Sequence, residues 1–309
     1  MTPSPHKPQP PHGQSRYHRQ MLLPTIGSAG QKRLTEARVL LVGCGALGTH
    51  LADHLVRAGV GFLRLVDRDI VEWTNLQRQS LFGEEDVHQR LPKAVAAVRR
   101  LEQANSQVQL QAAVADVFAG NIEDLAGIDQ NQPVDLVLDG TDNAETRYLI
   151  NDLAIKHAIP WIYGACVGTE GRAMFVGPNS PCLRCMFPQP PRPGDLPTCD
   201  TAGVLGPAAG VVAGIEASLA IQFLTSGTAP PGLVMLDLFS LRSRTIDTAT
   251  ARDPNCPCCG RRDFVFLDAA PRGRTTSLCG RRAVQIRPAN PARLDLQALA
   301  RKLATVGEV

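Results

Sequence analysis

Short apolar runs, each ended by glycine or aspartate, alternate along this chain with longer stretches of helical spacing. Residues Arg38–Val42 (RVLLV), Phe62–Val66 and 134–138 are near-continuous hydrophobic runs of strand length, as expected of parallel strands buried on both faces. Residues 47–58, 92–105 and Ala144–His157 read as helices, and 108–114 alternates as a half-buried strand does. Strands taking turns with helices predict an α/β chain on a Rossmann-like nucleotide-binding sheet. Later, 158–165 and 172–176 predict strands joined by a turn between Gly168 and Gly171, the second running antiparallel, and 233–238 with 243–247 predict a hairpin. The expected sheet is mostly parallel with added antiparallel strands.

The two ends read differently. Residues 1–15 are Pro-rich and polar with almost nothing to bury, so a disordered tail is expected. Residues 16–260 carry the patterned core, and 261–309 read as a small appendage with a strand at 282–287 and an amphipathic helix from Asp295 through Leu296, Leu299 and Leu303. One run, 204–224, approaches the roughly twenty apolar residues of a membrane span. Pro207, Glu216, Ser218 and Gln222 dilute it, and a buried core or dimer-interface helix is the better reading.

Composition narrows the classes. At 309 residues, 44% hydrophobic and 20% charged, the chain can bury a substantial core. A net charge of +3 gives no argument for nucleic-acid binding, and no basic stripe is interleaved with aromatics. No apolar segment follows the basic residues near the amino terminus, so no secretory signal is expected. Nine cysteines are an odd number for a disulfide framework and fit a reducing cytoplasm better.

The chemistry concentrates between Arg38 and Lys93. RVLLV runs into Gly43, Cys44, Gly45, Ala46, Leu47 and Gly48, a G-x-G-x-x-G turn. Gly43 permits the tight turn, Gly45 lets backbone approach a phosphate, and Gly48 lets the next helix pack on the strand with its N-terminus facing the anion. Asp67 follows about twenty residues on, where a carboxylate can accept hydrogen bonds from ribose hydroxyls. This much fits any dinucleotide enzyme, or an ordinary strand-to-helix turn. Thr74, Asn75 and Arg78 (TNLQRQ) and Lys93 (RLPK) then put cations close behind the ribose position, as an exposed γ-phosphate requires. After the run 134–138 come Asp139, Gly140, Thr141, Asp142 and Asn143, in a loop expected to join the glycine turn over one crevice. Asp142 can hold Mg²⁺ as a hard oxygen ligand, or cap the helix that follows.

Cys182 with Cys185 and Cys256 with Cys259 form two C-x-x-C pairs in Pro- and Gly-rich knuckles. Two sulfurs from each can make a tetrahedral S₄ site, so structural Zn²⁺ is favoured over redox chemistry or chance. Cys258, in the second knuckle, stays open as a ligand. Cys44, Cys166 and Cys279 read as buried small apolar residues.

In their order, GCGALG, LVDRD, TNLQRQ, LPK, LDGTDN and the two C-x-x-C pairs resemble the ThiF/MoeB family, bacterial relatives of the ubiquitin-activating enzymes; the resemblance spans roughly residues 16–260. It implies adenylation, from ATP, of the C-terminal Gly-Gly carboxylate of a ubiquitin-like sulfur carrier. It further implies that Arg19, in RYHRQ, reaches the ATP phosphates of a neighbouring subunit in a homodimer, where the residues alone suggest solvated surface charge. Asp142 would hold Mg²⁺. Cys199, alone in DLPTCDTAGVLGP, would engage the activated carrier as an acyl or persulfide partner, against the plainer alternative of a structural thiol. A sulfurtransferase or cysteine desulfurase is the implied sulfur donor.

The match has departures. Ala46 stands where the family commonly has glycine, and residues 87–93 make a longer segment than in many relatives, so Lys93 rests on the PK match with Arg90 as the substitute cation. The ending SLCGRRAVQIRP is similar to extensions of thiamine-pathway members, which favours a ThiS-like carrier of thiazole synthesis over a MoaD-like carrier of molybdopterin synthesis. Two rivals stand beside this reading: an NAD-dependent dehydrogenase, which the glycine turn and Asp67 alone permit, and a non-catalytic adaptor that binds the ubiquitin-like partner.

Overall fold

The apolar runs pair as their two-sided burial requires. In the computed structural model, which describes residues 16–191, 199–269, 274–278, 283–287 and 297, they form one eight-stranded sheet. β1 (Arg38–Val42), β2 (Phe62–Val66), β3 (Gln109–Ala113), β4 (Leu136–Asp139) and β5 (Trp161–Val167) run parallel. β6 (Glu170–Val176), β7 (Leu233–Asp237) and β8 (Arg242–Ile246) continue it antiparallel, in the order β3-β2-β1-β4-β5-β6-β7-β8. The helices are α1 (His18–Met21), α2 (Gly27–Glu36), α3 (Ala46–Ala58), α4 (Glu84–His88), α5 (Lys93–Ala104), α6 (Ile122–Leu125), α7 (Ala144–His157), α8 (Leu183–Met186), α9 (Cys199–Ala202) and α10 (Gly206–Ser226).

Side chains alternate across the sheet with period two. Val39, Leu41, Leu63, Leu65, Leu138 and Ile162 pack on one face with Leu51 of α3, Leu101 of α5 and Val212 of α10. Leu40, Val42, Val137, Trp161 and Met174 pack on the other with Ile150 and Leu153 of α7 and with Cys182 and Cys256. α10 is long and apolar enough to cross a membrane, yet it packs against α2, α3, β5 and β6, the placement of a core helix.

α7 has the bounds its signals predict. Asn143 Oδ1 accepts from Glu145 N at 2.9 Å and Thr146 N at 3.4 Å, and Ala158 closes the helix in the left-handed region at φ 55°. The cap is therefore Asn143 and not Asp142, whose backbone sits one residue too early. Residues Met1–Leu267 and Asp268–Val309 make two compact units, and in the second β9 (Arg274–Leu278), which the sequence did not suggest, pairs antiparallel with β10 (Ala283–Arg287). Residues 1–15, Cys279 and, apart from residue 297, the helix expected from Asp295 lie outside the described residues.

Candidate functional site

β1 and β4 run side by side with Val42 opposite Asp139, so the loops leaving them must meet. A Cβ on Gly48 would stand 1.9 Å from the Gly43 carbonyl oxygen, and one on Gly43, whose φ is +94°, 2.7 Å from that of Gly140. The fold itself demands these two glycines. Gly45 is different: the nearest protein atom to its missing Cβ is 3.9 Å away. Gly45 caps α3 at Ala46, and with no side-chain cap the N–H groups of its first turn remain for an anion. Cys44 is fully buried in the turn, and burial pushes its thiol well above the ordinary range.

Asp67 braces this turn. Its Oδ2 accepts from Cys44 N at 2.7 Å and its Oδ1 from Asp69 N at 2.8 Å. Lys93, at the start of α5 and nearly buried, brings Nζ to 3.1 Å from Asp69 Oδ2. Burial alone would pull its ammonium down, but Asp67 and Asp69, with a contribution from Asp142, outweigh burial and hold it above its ordinary value. Lys93 thus stays charged between Asp67 and Asp69. Arg90 occupies a left-handed turn at φ 52°. Asn75 is buried, and its Oδ1 accepts from Glu72 N at 3.0 Å, closing a single 3₁₀ turn over Trp73–Asn75. Arg78 leaves the same loop and donates through Nη1 to the carbonyl of exposed Thr74 at 2.7 Å.

Two buried acids and one arginine were not singled out by sequence. Asp139 is 0% exposed; its Oδ2 accepts from Arg147 Nε at 2.9 Å and its Oδ1 from Thr141 N and Oγ1 at 2.9 and 2.7 Å. Arg147 Nη2 also donates to Thr141 O at 2.6 Å. Burial lowers the Arg147 guanidinium, and Asp139 more than offsets it. The pair fastens the loop carrying Asp142 to the first turns of α7, and Asp142 itself is exposed at the loop's tip. The available signal was an aspartate ending an otherwise apolar buried strand, which requires a cation nearby.

Glu216, in α10, is 0% exposed, and neither of its oxygens has a hydrogen-bond partner among the described residues. It fits beneath β5 because residue 164 is glycine; a Cβ there would lie 2.1 Å from Glu216 Oε1. Burial first, then Asp139, pushes its carboxyl well above the usual range, with Arg147 opposing.

Arg19 is exposed on α1, and α1 is anchored at the wrong end of α3 to serve its own glycine turn. Gln20 Nε2 donates to Ala58 O at 3.0 Å, and Tyr17 packs where a Cβ on Gly59 would be. The thirteen residues of α3 separate that anchor from the turn by about 20 Å at about 1.5 Å per residue. Cys199 begins the short α9; its side chain lies outside the described residues.

The sulfurs of Cys182, Cys185, Cys256 and Cys259 lie within 4.8 Å of one another, with Cys182–Cys185, Cys182–Cys256 and Cys185–Cys259 separations of 3.9, 3.6 and 3.4 Å. Four thiolates about 2.3 Å from a tetrahedral Zn²⁺ would stand about 3.8 Å apart, so donor type and spacing both fit that ion. Cys258, 0% exposed, falls outside the quartet.

A family model described as the ThiF family matches residues 17–258. The sulfur carrier protein ThiS adenylyltransferase of Bacillus subtilis is 44% identical over 94% of this chain and 85% of its own length. The sulfur carrier protein adenylyltransferase of Thermus thermophilus is 39% identical over 82% of this chain and 95% of its own. Among solved structures, E. coli MccB crystallised with ATP superposes with a TM-score of 0.67 at 22% identity, over 80% of this chain and 75% of that one, a likeness of fold.

Proposed function

The chain belongs to the ThiF family, and on that premise we propose that it is the ATP-dependent adenylyltransferase of a ubiquitin-like sulfur carrier protein. The observation that carries this reading is the convergence of an uncapped α3 N-terminus, an open-sided Gly45 and the charged Lys93 beside the exposed Asp142 loop. The carrier's terminal carboxylate attacks the α-phosphorus of ATP in line, an acyl adenylate forms and pyrophosphate leaves. Little covalent chemistry falls to the protein. The α3 N–H groups hold a phosphate, Asp67 receives the ribose, and Arg78 and Lys93 offset the charge that grows on the phosphoryl oxygens. Mg²⁺, when bound, would neutralise the leaving pyrophosphate from the side of Asp142. Zn²⁺ in the cysteine quartet would tie the two knuckles together without entering the reaction.

Arg19 lies about 20 Å along α3 from its own turn, which supports a role in the site of a second copy and hence a homodimer. Cys199 is the thiol that engages the activated carrier. A ThiS-like carrier is favoured over a MoaD-like one by the 44% identity to the ThiS adenylyltransferase of B. subtilis across nearly the whole chain.

Exchange of labelled pyrophosphate into ATP tests both levels. With Mg²⁺ present, a ThiS-like carrier should support exchange and a MoaD-like one should do so poorly; the reverse order would reassign the carrier. Arg78→Ala should slow exchange by about 100- to 1000-fold. Exchange by that variant at the wild-type rate would defeat the assigned role.

A further inference from the structure

Cys258 stands beside the cysteine quartet without joining it. Its buried Sγ accepts a hydrogen bond from Asn151 Nδ2 at 3.2 Å, and Asn151 Oδ1 accepts from Leu183 N at 2.9 Å. One α7 side chain, itself 0% exposed, therefore bridges the knuckle of Cys182 and Cys185 to that of Cys256 and Cys259. The next residue makes a similar bridge. Asp152, also 0% exposed, accepts from Phe266 N at 2.9 Å, just past the second knuckle, and lies 3.7 Å from Arg184 Nη1 in the first.

Four sulfurs already complete the tetrahedral set that Zn²⁺ takes, and Cys258 stands outside that set, held by Asn151 instead. The carboxamide, in turn, must satisfy a donor and an acceptor in the core, and it does so on one group from each knuckle.

We propose that Cys258 is not a metal ligand but the hydrogen-bond partner of Asn151, and that Asn151 is a positioning residue that latches the two knuckles in metal-binding register. This rests on the assignment of Zn²⁺ to the quartet. Holding the knuckles together before the metal arrives removes part of the ordering that binding must impose, so the latch acts on metal retention.

The test uses the full chain purified with zinc, its Co²⁺-substituted form, and transfer of zinc to a chromophoric chelator. Cys258→Ala should hold about one metal per chain, keep the tetrathiolate Co²⁺ absorption and release zinc about 10- to 100-fold faster than wild type, and Asn151→Ala should do likewise. Cys258→Ser, which keeps a polar acceptor, should stay near wild type, whereas Cys256→Ser should lose the tetrathiolate bands. If Cys258→Ala alters those bands as Cys256→Ser does, Cys258 is a ligand and the proposal is wrong. Zinc release at the wild-type rate from both Asn151→Ala and Cys258→Ala would overturn it too; if the Asn151 variant does not fold, Cys258→Ala decides alone. A wild-type chain that takes up neither metal removes the zinc assignment itself, an outcome distinct from either of these.

Discussion

Replacing Glu216 by glutamine removes a titration from the core while keeping its shape, and stability against pH reads the result. In the folded chain the carboxyl is enclosed, without a hydrogen-bond partner among the described residues, and burial holds its pKa well above the usual range. In the unfolded chain it ionises near the ordinary value of about 4.3. A group whose pKa rises on folding contributes stability that is complete below its unfolded pKa and is lost as pH climbs toward the folded one. While Glu216 stays protonated in the fold, wild type should lose about 1.4 kcal/mol per pH unit relative to Glu216→Gln, or about 2.7 kcal/mol from about pH 5.5 to about pH 7.5. For a unit of this size that is a melting-temperature gap widening by about 5–11 °C. Thermal melts of both proteins in matched buffers measure it, since groups common to both cancel in the difference. A gap that stays constant across the window would mean that Glu216 is ionised in the fold, and the reasoning from its enclosure would fail.

Two further tests concern the site. Mixing Arg19→Ala with Arg78→Ala chains should restore pyrophosphate exchange to about a quarter of wild type, because half of randomly formed dimers would hold one complete site of two; no recovery would place Arg19 outside its neighbour's site. Arg147→Met leaves Asp139 buried and unpaired and should destabilise the fold by about 3–5 kcal/mol in urea unfolding, with Asp139→Asn in the same chain recovering most of it. Equal losses in the single and double variants would mean the ion pair is not what fastens the Asp142 loop.

The inner parallel strands β1, β2 and β4 were legible because burial on both faces leaves them nearly continuously apolar, and the glycine turn because its spacing answers to steric demands that Gly43 and Gly48 meet in the fold. The two C-x-x-C pairs were legible because metal geometry fixes their spacing. What escaped depends on contacts between distant elements. Arg147 looks like any helix-surface cation until β4 delivers Asp139 beneath it. Glu216 registered only as a polar break in an apolar run, since nothing local says that a glycine on β5 leaves room for it. Asp142 and Asn143 are adjacent and both suit a helix cap; only the backbone decides which one takes it.

The enclosure of the thiols sets the terms for chemical labelling. Cys44, Cys166, Cys182, Cys256 and Cys258 are buried, and a bound metal would occupy Cys185 and Cys259. An alkylating reagent applied to the native, zinc-loaded chain therefore meets seven silent cysteines. Any rapid adduct belongs to Cys199 or Cys279, so peptide mapping of a single labelled product can report on the thiol proposed to engage the carrier without mutating the others.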